Sequence, residues 1–283
     1  MNTPQHDLEP APATHRLAQV LRWNRASYLL LSAFLLTLGV IAYVWWPLVQ
    51  EVLATFNPRL PWWAQLDWLL VGNFLAMSFL IMAGADLRSD IWVILVGLAG
   101  GLAIEGWGTQ TELWTYYTLE RPPLWIIPAW PIASLAIDRL VRLLQLALPP
   151  FSRRLLIWSY GLIFGGFAIL LFSFTWHTLD KSLTILALLA CSLMILSPTE
   201  PRLALLTFIA GAGLGYFLEL WGTTRECWTY YTLQKPPLFA VLAHGMAAVA
   251  FWRTGLLLRR ALNLIRRIPQ RLRAQTGHHA SLL

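Results

Sequence analysis

Eight apolar runs divide the chain, separated by short polar or proline-bearing segments: Ser27 to Leu48, Leu66 to Ala85, Ile91 to Trp107, Leu124 to Leu144, Leu155 to Trp176, Leu183 to Leu196, Leu203 to Trp221 and Leu238 to Leu258. The longer ones run for about 20 residues, enough for an α-helix to cross the hydrocarbon of a bilayer. Backbone polar groups in lipid must be satisfied within the segment itself, so such runs predict helices. The pattern therefore predicts an all-α polytopic membrane protein of about eight transmembrane helices. The first run is too long for a signal-peptide core and no small-residue cleavage site follows it, so it is expected to remain as a spanning helix.

Composition sharpens the class. Of 283 residues, 57% are hydrophobic and 12% charged, with a mean hydropathy of +0.57; a soluble domain carries about 25% charged residues. The net charge of +7 raises nucleic acid as a partner, but its placement argues for a lipid surface. With the N-terminus inside, sixteen Lys and Arg fall on the inner side, among them Arg88, Arg139, Arg202 and Arg253. Five fall outside: Arg59, Arg121, Lys181, Arg225 and Lys235. That asymmetry predicts both termini in the cytoplasm, with Arg139 and Arg253 snorkelling from the inner ends of their helices. Residues 1–21, with three prolines, read as a disordered cytoplasmic lead-in. Residues 259–283 read as a basic amphipathic tail lying on anionic lipid. Two cysteines without a CxxC neighbour imply neither a disulfide framework nor a metal knuckle.

The chain also repeats itself. Glu105 to Leu124 and Glu219 to Leu238 are identical at fourteen of twenty positions, at a constant offset of 114 residues. The correspondence extends to Gly97 with Gly211, Gly101 with Gly215, Arg88 with Arg202 and Arg139 with Arg253. Each half holds four runs, so the halves, 22–144 and 145–258, are expected to be parallel four-helix repeats about an axis along the membrane normal. The glycine pairs allow a neighbouring helix to approach closely, which places the third and seventh helices near that axis.

The repeated stretch WGTQTELWTYYTLERPPL is polar and aromatic in an otherwise apolar chain. Thr109 with Glu112, and Thr223 with Glu226, fit the T-x-x-E capping box, so a short interfacial helix is expected through each WTYYT, ended by the proline pair. Cys227 stands where the first copy has Leu113, which suggests packing. Trp114, Tyr116, Tyr117, Trp228, Tyr230 and Tyr231 have two readings: a belt at the membrane boundary, or a stacking wall for an extended apolar ligand.

Glu105 and Glu219 carry the candidate chemistry. A carboxyl near the end of an apolar helix is costly unless it is paired, protonated or facing a wet cavity, and a protonated one can act as an acid. The alternative is a carboxylate satisfied by a following Thr hydroxyl, a Trp N–H or backbone donors. The halves differ at His244, which replaces Trp130 and can complete an acid–base set with Glu219. Near the inner face, Asp86 and Asp90 could hold Mg²⁺ for a diphosphate, but the second copy has Ala204 in place of Asp90. No P-loop, HExxH or G-x-S-x-G motif occurs.

The order E-x-x-G-T, W-x-Y-Y-T, P-P-L and P-A-W resembles integral-membrane carotenoid-biosynthesis proteins, the carotenoid hydratases and tandem-repeat lycopene cyclases. Glu105, Gly108, Trp114, Tyr116, Tyr117, Pro122 and Pro123 carry it, with Glu219, Gly222, Trp228, Tyr230, Tyr231, Pro236 and Pro237 in the second copy. The resemblance covers this segment and the adjoining helix ends. Where the hydratases have Phe-Gly before the Tyr, this chain has Trp-Thr, and the double-acid signature of the cyclases is missing. The resemblance implies protonation of a polyprenyl double bond by a Glu and cation–π stabilisation by aromatic faces, with no cofactor needed; no metal is expected, and the expected location is a bacterial inner (plasma) membrane. A proton-coupled transporter or lipid-handling protein is the rival class, with Glu105 and Glu219 as proton sites; a non-catalytic membrane scaffold is the third. The bilayer is the expected partner throughout and nucleic acid is not; an apolar isoprenoid or lipid is the ligand expected of the enzyme or lipid-handling protein, and a partner bound by the WTYYT segments that of the scaffold.

Overall fold

The computed structural model describes residues 19, 21–197 and 200–280, with side chains as far as 265. The lead-in expected over 1–21 lies almost wholly outside the described residues, as do the side chains of the tail beyond Ile265. Among the described residues there are nine α-helices: α1 Arg25–Val44, α2 Trp46–Ala54, α3 Trp68–Met82, α4 Leu87–Gln110, α5 Ala129–Ala147, α6 Arg153–Thr175, α7 Ser182–Leu196, α8 Pro201–Thr224 and α9 Leu238–Ala280. Two three-residue strands, β1 Trp114–Tyr116 and β2 Trp228–Tyr230, complete the set with two short 3-10 turns. Five helices are long and apolar enough to cross a membrane by length and composition, and the chain is an integral membrane protein on that ground. Two more, α3 and α7, are apolar but only 15 residues long. In α5, Asp138, Arg139 and Arg142 interrupt the apolar sequence.

Local chemistry explains most boundaries. Asn24 caps α1, Asp67 caps α3, Asp86 caps α4 and Ser152 caps α6, each accepting from a backbone N–H of the first turn. The expected single run Ser27 to Leu48 breaks at Trp45, because Pro47 has no N–H to donate and its ring crowds the carbonyl four residues back. The expected tail is not a separate element: α9 runs on through Leu258 for 43 residues in all.

Four helices form the centre. α4 packs on α5 and α8 on α9 within each half, while α5 touches α8 and α4 touches α9 across the halves. Gly97 and Gly211 face the neighbouring helix of their own half, whereas Gly100 faces Phe251 across the halves. A Cβ at Gly97 would stand 2.8 Å from the Pro131 backbone, and one at Gly211 2.8 Å from the His244 carbonyl. α3 rests against α8 and α7 against α4, so each short helix leans on the opposite half.

Arg139 corrects the snorkelling expectation. It is fully buried, with Nη2 donating 2.6 Å to Asp90 Oδ2 and Nε donating 2.7 Å to the carbonyl of Ala83, the last residue of the α3 turn. Arg253 is also buried and donates to the carbonyls of Met194 and Ser197 at the end of α7. Each arginine therefore satisfies the orphan carbonyls of a short helix, where the helix dipole favours a cation.

The expected interfacial helices through WTYYT are replaced by strands. β1 and β2 pair antiparallel in the register Trp114↔Tyr230, Thr115↔Thr229 and Tyr116↔Trp228. Thr109, Glu112, Thr223 and Glu226 are not N-caps. Thr109 and Thr223 lie inside the last turns of α4 and α8, their hydroxyls donating 2.5 Å and 2.6 Å to the carbonyls of Glu105 and Glu219. Glu112 and Glu226 are the left-handed residues that end those helices, at φ 63° and 56°. Leu113 N–H donates to Gly108 O and Cys227 N–H to Gly222 O, each at 2.9 Å, which closes the helix end as a Schellman turn. Their exposed carboxylates pair with Arg121 and Lys235, each at 2.7 Å, and those cations hold both carboxyls below their ordinary range.

Candidate functional site

Glycine spacing on α4 and α8 makes room for the site. Gly101 and Gly108 flank Glu105 along its helix, and Gly215 and Gly222 flank Glu219. A Cβ at Gly108 would lie 1.8 Å from the Trp114 indole, and one at Gly222 2.0 Å from that of Trp228. At Gly101 and Gly215 it would lie 2.4 Å from Trp130 Cγ and His244 Cβ respectively. Each buried glutamate is thus bracketed by two positions where only glycine admits the rings that reach it.

Those rings hold the carboxylates. Glu105 accepts from Trp114 Nε1 at 3.0 Å, Tyr116 OH at 2.9 Å and Trp130 Nε1 at 3.1 Å. Glu219 accepts from Trp228 Nε1 and Tyr230 OH, each at 2.9 Å, and meets His244 Nε2 at 2.9 Å. The carboxylates are each 3% exposed. β1 and β2 deliver one Trp and one Tyr to each, since residues two apart on a strand share a face. α5 and α9 supply Trp130 and His244, which stack on one another with centroids 5.7 Å apart and planes 18° from parallel.

The two centres belong to one cavity of about 1330 Å³. Glu105, Glu219, His244, Trp130 and the strand aromatics line it together with apolar faces of α1, α3, α4, α7 and α9. Trp45 stacks on Trp221 at 5.5 Å and meets Trp125 edge-on at 5.4 Å beside the strands. The candidates Glu105, Trp114 and Tyr116 are therefore brought together with Glu219, Trp228, Tyr230 and His244. Tyr117 and Tyr231 are not. Their hydroxyls donate to the carbonyls of Val44 at the end of α1 and Phe174 near the end of α6, anchoring each half's first helix to its strand. Asp86 and Asp90 are spent structurally: Asp86 caps α4, and Asp90 Oδ2 accepts from Asp86 N–H and Arg139.

Trp130 is the site residue that sequence reasoning missed. It entered only as the counterpart of His244, yet that correspondence was the available signal, because a residue bonded to one glutamate should be matched by one bonded to the other. The substitution changes the chemistry. Indole N–H groups only donate, and two of them meet the two different oxygens of Glu105. At Glu219 the third partner is an imidazole, whose ring nitrogens can either donate or accept a proton. The first centre is thus a fixed carboxylate cradle. The second is a carboxylate–imidazole pair able to exchange a proton.

A scan against family models found no match, and no curated protein or solved structure matches the chain.

Proposed function

We propose that the protein is a membrane enzyme with about eight transmembrane helices in two parallel four-helix repeats, with both termini cytoplasmic, that protonates a double bond of an apolar polyprenyl or carotenoid chain. The observation that carries this reading is the pairing of buried Glu219 with half-buried His244 at the wall of a large apolar cavity, where the other half pairs Glu105 with the indole of Trp130. The proton passes from the pair to one alkene carbon, the π electrons form the new C–H bond, and the neighbouring carbon becomes cationic. Glu105 and the faces of Trp114, Tyr116 and Trp228 lie where they stabilise that charge. Water then adds to the cation and returns a proton to the pair, giving an alcohol; attack by a second double bond followed by proton loss gives a ring. Neither route requires a redox change. The repeat is supported by the offset of 114 residues and by the pairing of Thr115 with its own counterpart Thr229.

The test compares isoprenoids extracted from membranes of cells carrying the wild-type protein, the Glu219→Gln variant or neither, each supplied with an acyclic tetraterpene polyene. A hydrated or cyclised product in the wild type alone is the expected outcome. Identical profiles in all three would overturn the reading, and uptake driven by an imposed pH gradient in proteoliposomes would move the two glutamates to transport.

A further inference from the structure

The cavity is less symmetric than the residues around its carboxylates. On α9 it is lined from Phe239 through His244 and Phe251 to Leu258, and on α4 from Gln110 back to Trp92. α7 closes the side with residues from Leu183 to Met194. Of the corresponding helices in the other half, α3 lines it from Leu70 to Met77, but α5 stops at Ala133 and α8 lines it only from Leu218 to Trp221. One limb therefore continues from the carboxylates along the α4–α7–α9 seam toward the arginine-bearing end, farther than the lining of α5 and α8 reaches in the other half. At about 1.5 Å per helical residue, the stretch from His244 to Leu258 is ~21 Å long, and that from Glu105 to Trp92 is ~20 Å.

Packing explains the difference. Along the α5–α8 seam, Ile137, Val141, Leu206 and Ala210 form a buried cluster that fills the equivalent space. At the α4–α9 seam Phe251, Trp92 and Val96 stand in place of Ile137, Leu206 and Ala210, and there they line the cavity instead. The limb thus opens in the half whose carboxylate has the histidine, and Thr254 is the polar residue along its lower part.

We infer that this limb holds the unreacted arm of a linear polyprenyl substrate, which lies along the membrane normal with one end at Glu219–His244 and its chain reaching toward Trp92 and Leu258. The inference rests on the proposed acid–base reading for what happens at the head of the limb, but chain-length selection is a property of the limb itself. A limb ~20 Å long with apolar walls from three helices matches the shape and chemistry of a single extended hydrocarbon chain.

Ala250 on α9 and Ala99 on α4 line the limb from opposite walls, below the carboxylates. Purified full-length protein in nanodiscs is loaded with an acyclic tetraterpene polyene or an acyclic sesquiterpene, and retention is measured against empty nanodiscs. Ala250→Trp and Ala99→Trp are each expected to weaken tetraterpene binding by about tenfold or more while leaving sesquiterpene binding within about twofold of wild type. Gly213→Trp, at the position matching Ala99 in the other half but outside the cavity lining, should alter neither. Retained sesquiterpene binding also shows that the variants are folded. Equal weakening of both probes, or no weakening of either, overturns the limb. If Glu219→Gln still converts substrate while Ala250→Trp loses the long chain selectively, the acid–base reading falls and the limb stands.

Discussion

Replacing Glu219 with glutamine is expected to reduce conversion of an acyclic polyene by about 10²- to 10⁴-fold, the range lost when a positioned acid–base group is removed. The amide is tolerated structurally. Its oxygen can face Trp228 Nε1, and its NH₂ then meets Tyr230 and His244, both of which can accept. His244→Trp should lower conversion to a similar degree by a different route, because it rebuilds the arrangement of the first half, where an indole N–H donates and cannot cycle a proton. Glu105→Gln should behave otherwise. Either orientation of its amide sets the NH₂ against an indole N–H, Trp114 on one side or Trp130 on the other. A buried donor without an acceptor costs about 1–3 kcal/mol, so this variant should unfold at a lower temperature than Glu219→Gln. Equal thermal stability of the two variants would contradict the assignment of Glu105 as a fixed acceptor. Full turnover by His244→Trp would contradict the shared proton.

The second large effect is on stability. Arg139 and Asp90 are both 0% exposed, and removing one partner of a buried ion pair typically costs about 3–5 kcal/mol because the other charge is left uncompensated. Arg139→Met is expected to destabilise the protein by that amount, adding the lost bond to the Ala83 carbonyl. Asp90→Ala, which copies Ala204 of the other half, should also destabilise. The double variant should recover a substantial part of the loss, since no buried charge then remains. Unfolding midpoints in detergent for the two single variants and the double provide the check, and strictly additive losses would mean that the pair is not coupled.

The helices were legible because lipid imposes one simple requirement, a long apolar run closed on its own hydrogen bonds. The weighting of Glu105, Glu219 and His244 was legible for a related reason: buried polar groups in such runs need partners, and a duplicated chain exposes the position where the partner changes. The T-x-x-E motif misled because a threonine in the last turn of a continuing helix can bond its own i−4 carbonyl, as Thr109 does with Glu105. Nothing in the local pattern separates that turn from the first turn of a new helix. The pairing of β1 with β2 joins segments 114 residues apart, and local propensity carries no information about such a partner. The separation of Tyr116 from Tyr117 follows from that pairing, because adjacent strand residues point to opposite faces. The limb was hidden in single exchanges such as Ile137 for Phe251, whose meaning depends on which helices meet.

The most direct measurement is the mass of the product formed by purified wild-type protein from an acyclic tetraterpene polyene in D₂O. Delivery of a proton from Glu219–His244 to an alkene carbon predicts one non-exchangeable deuterium on carbon in each hydrated product molecule, formed at least about 10²-fold more slowly by Glu219→Gln. A product without carbon-bound deuterium, or the same labelled product from Glu219→Gln at the wild-type rate, would contradict it.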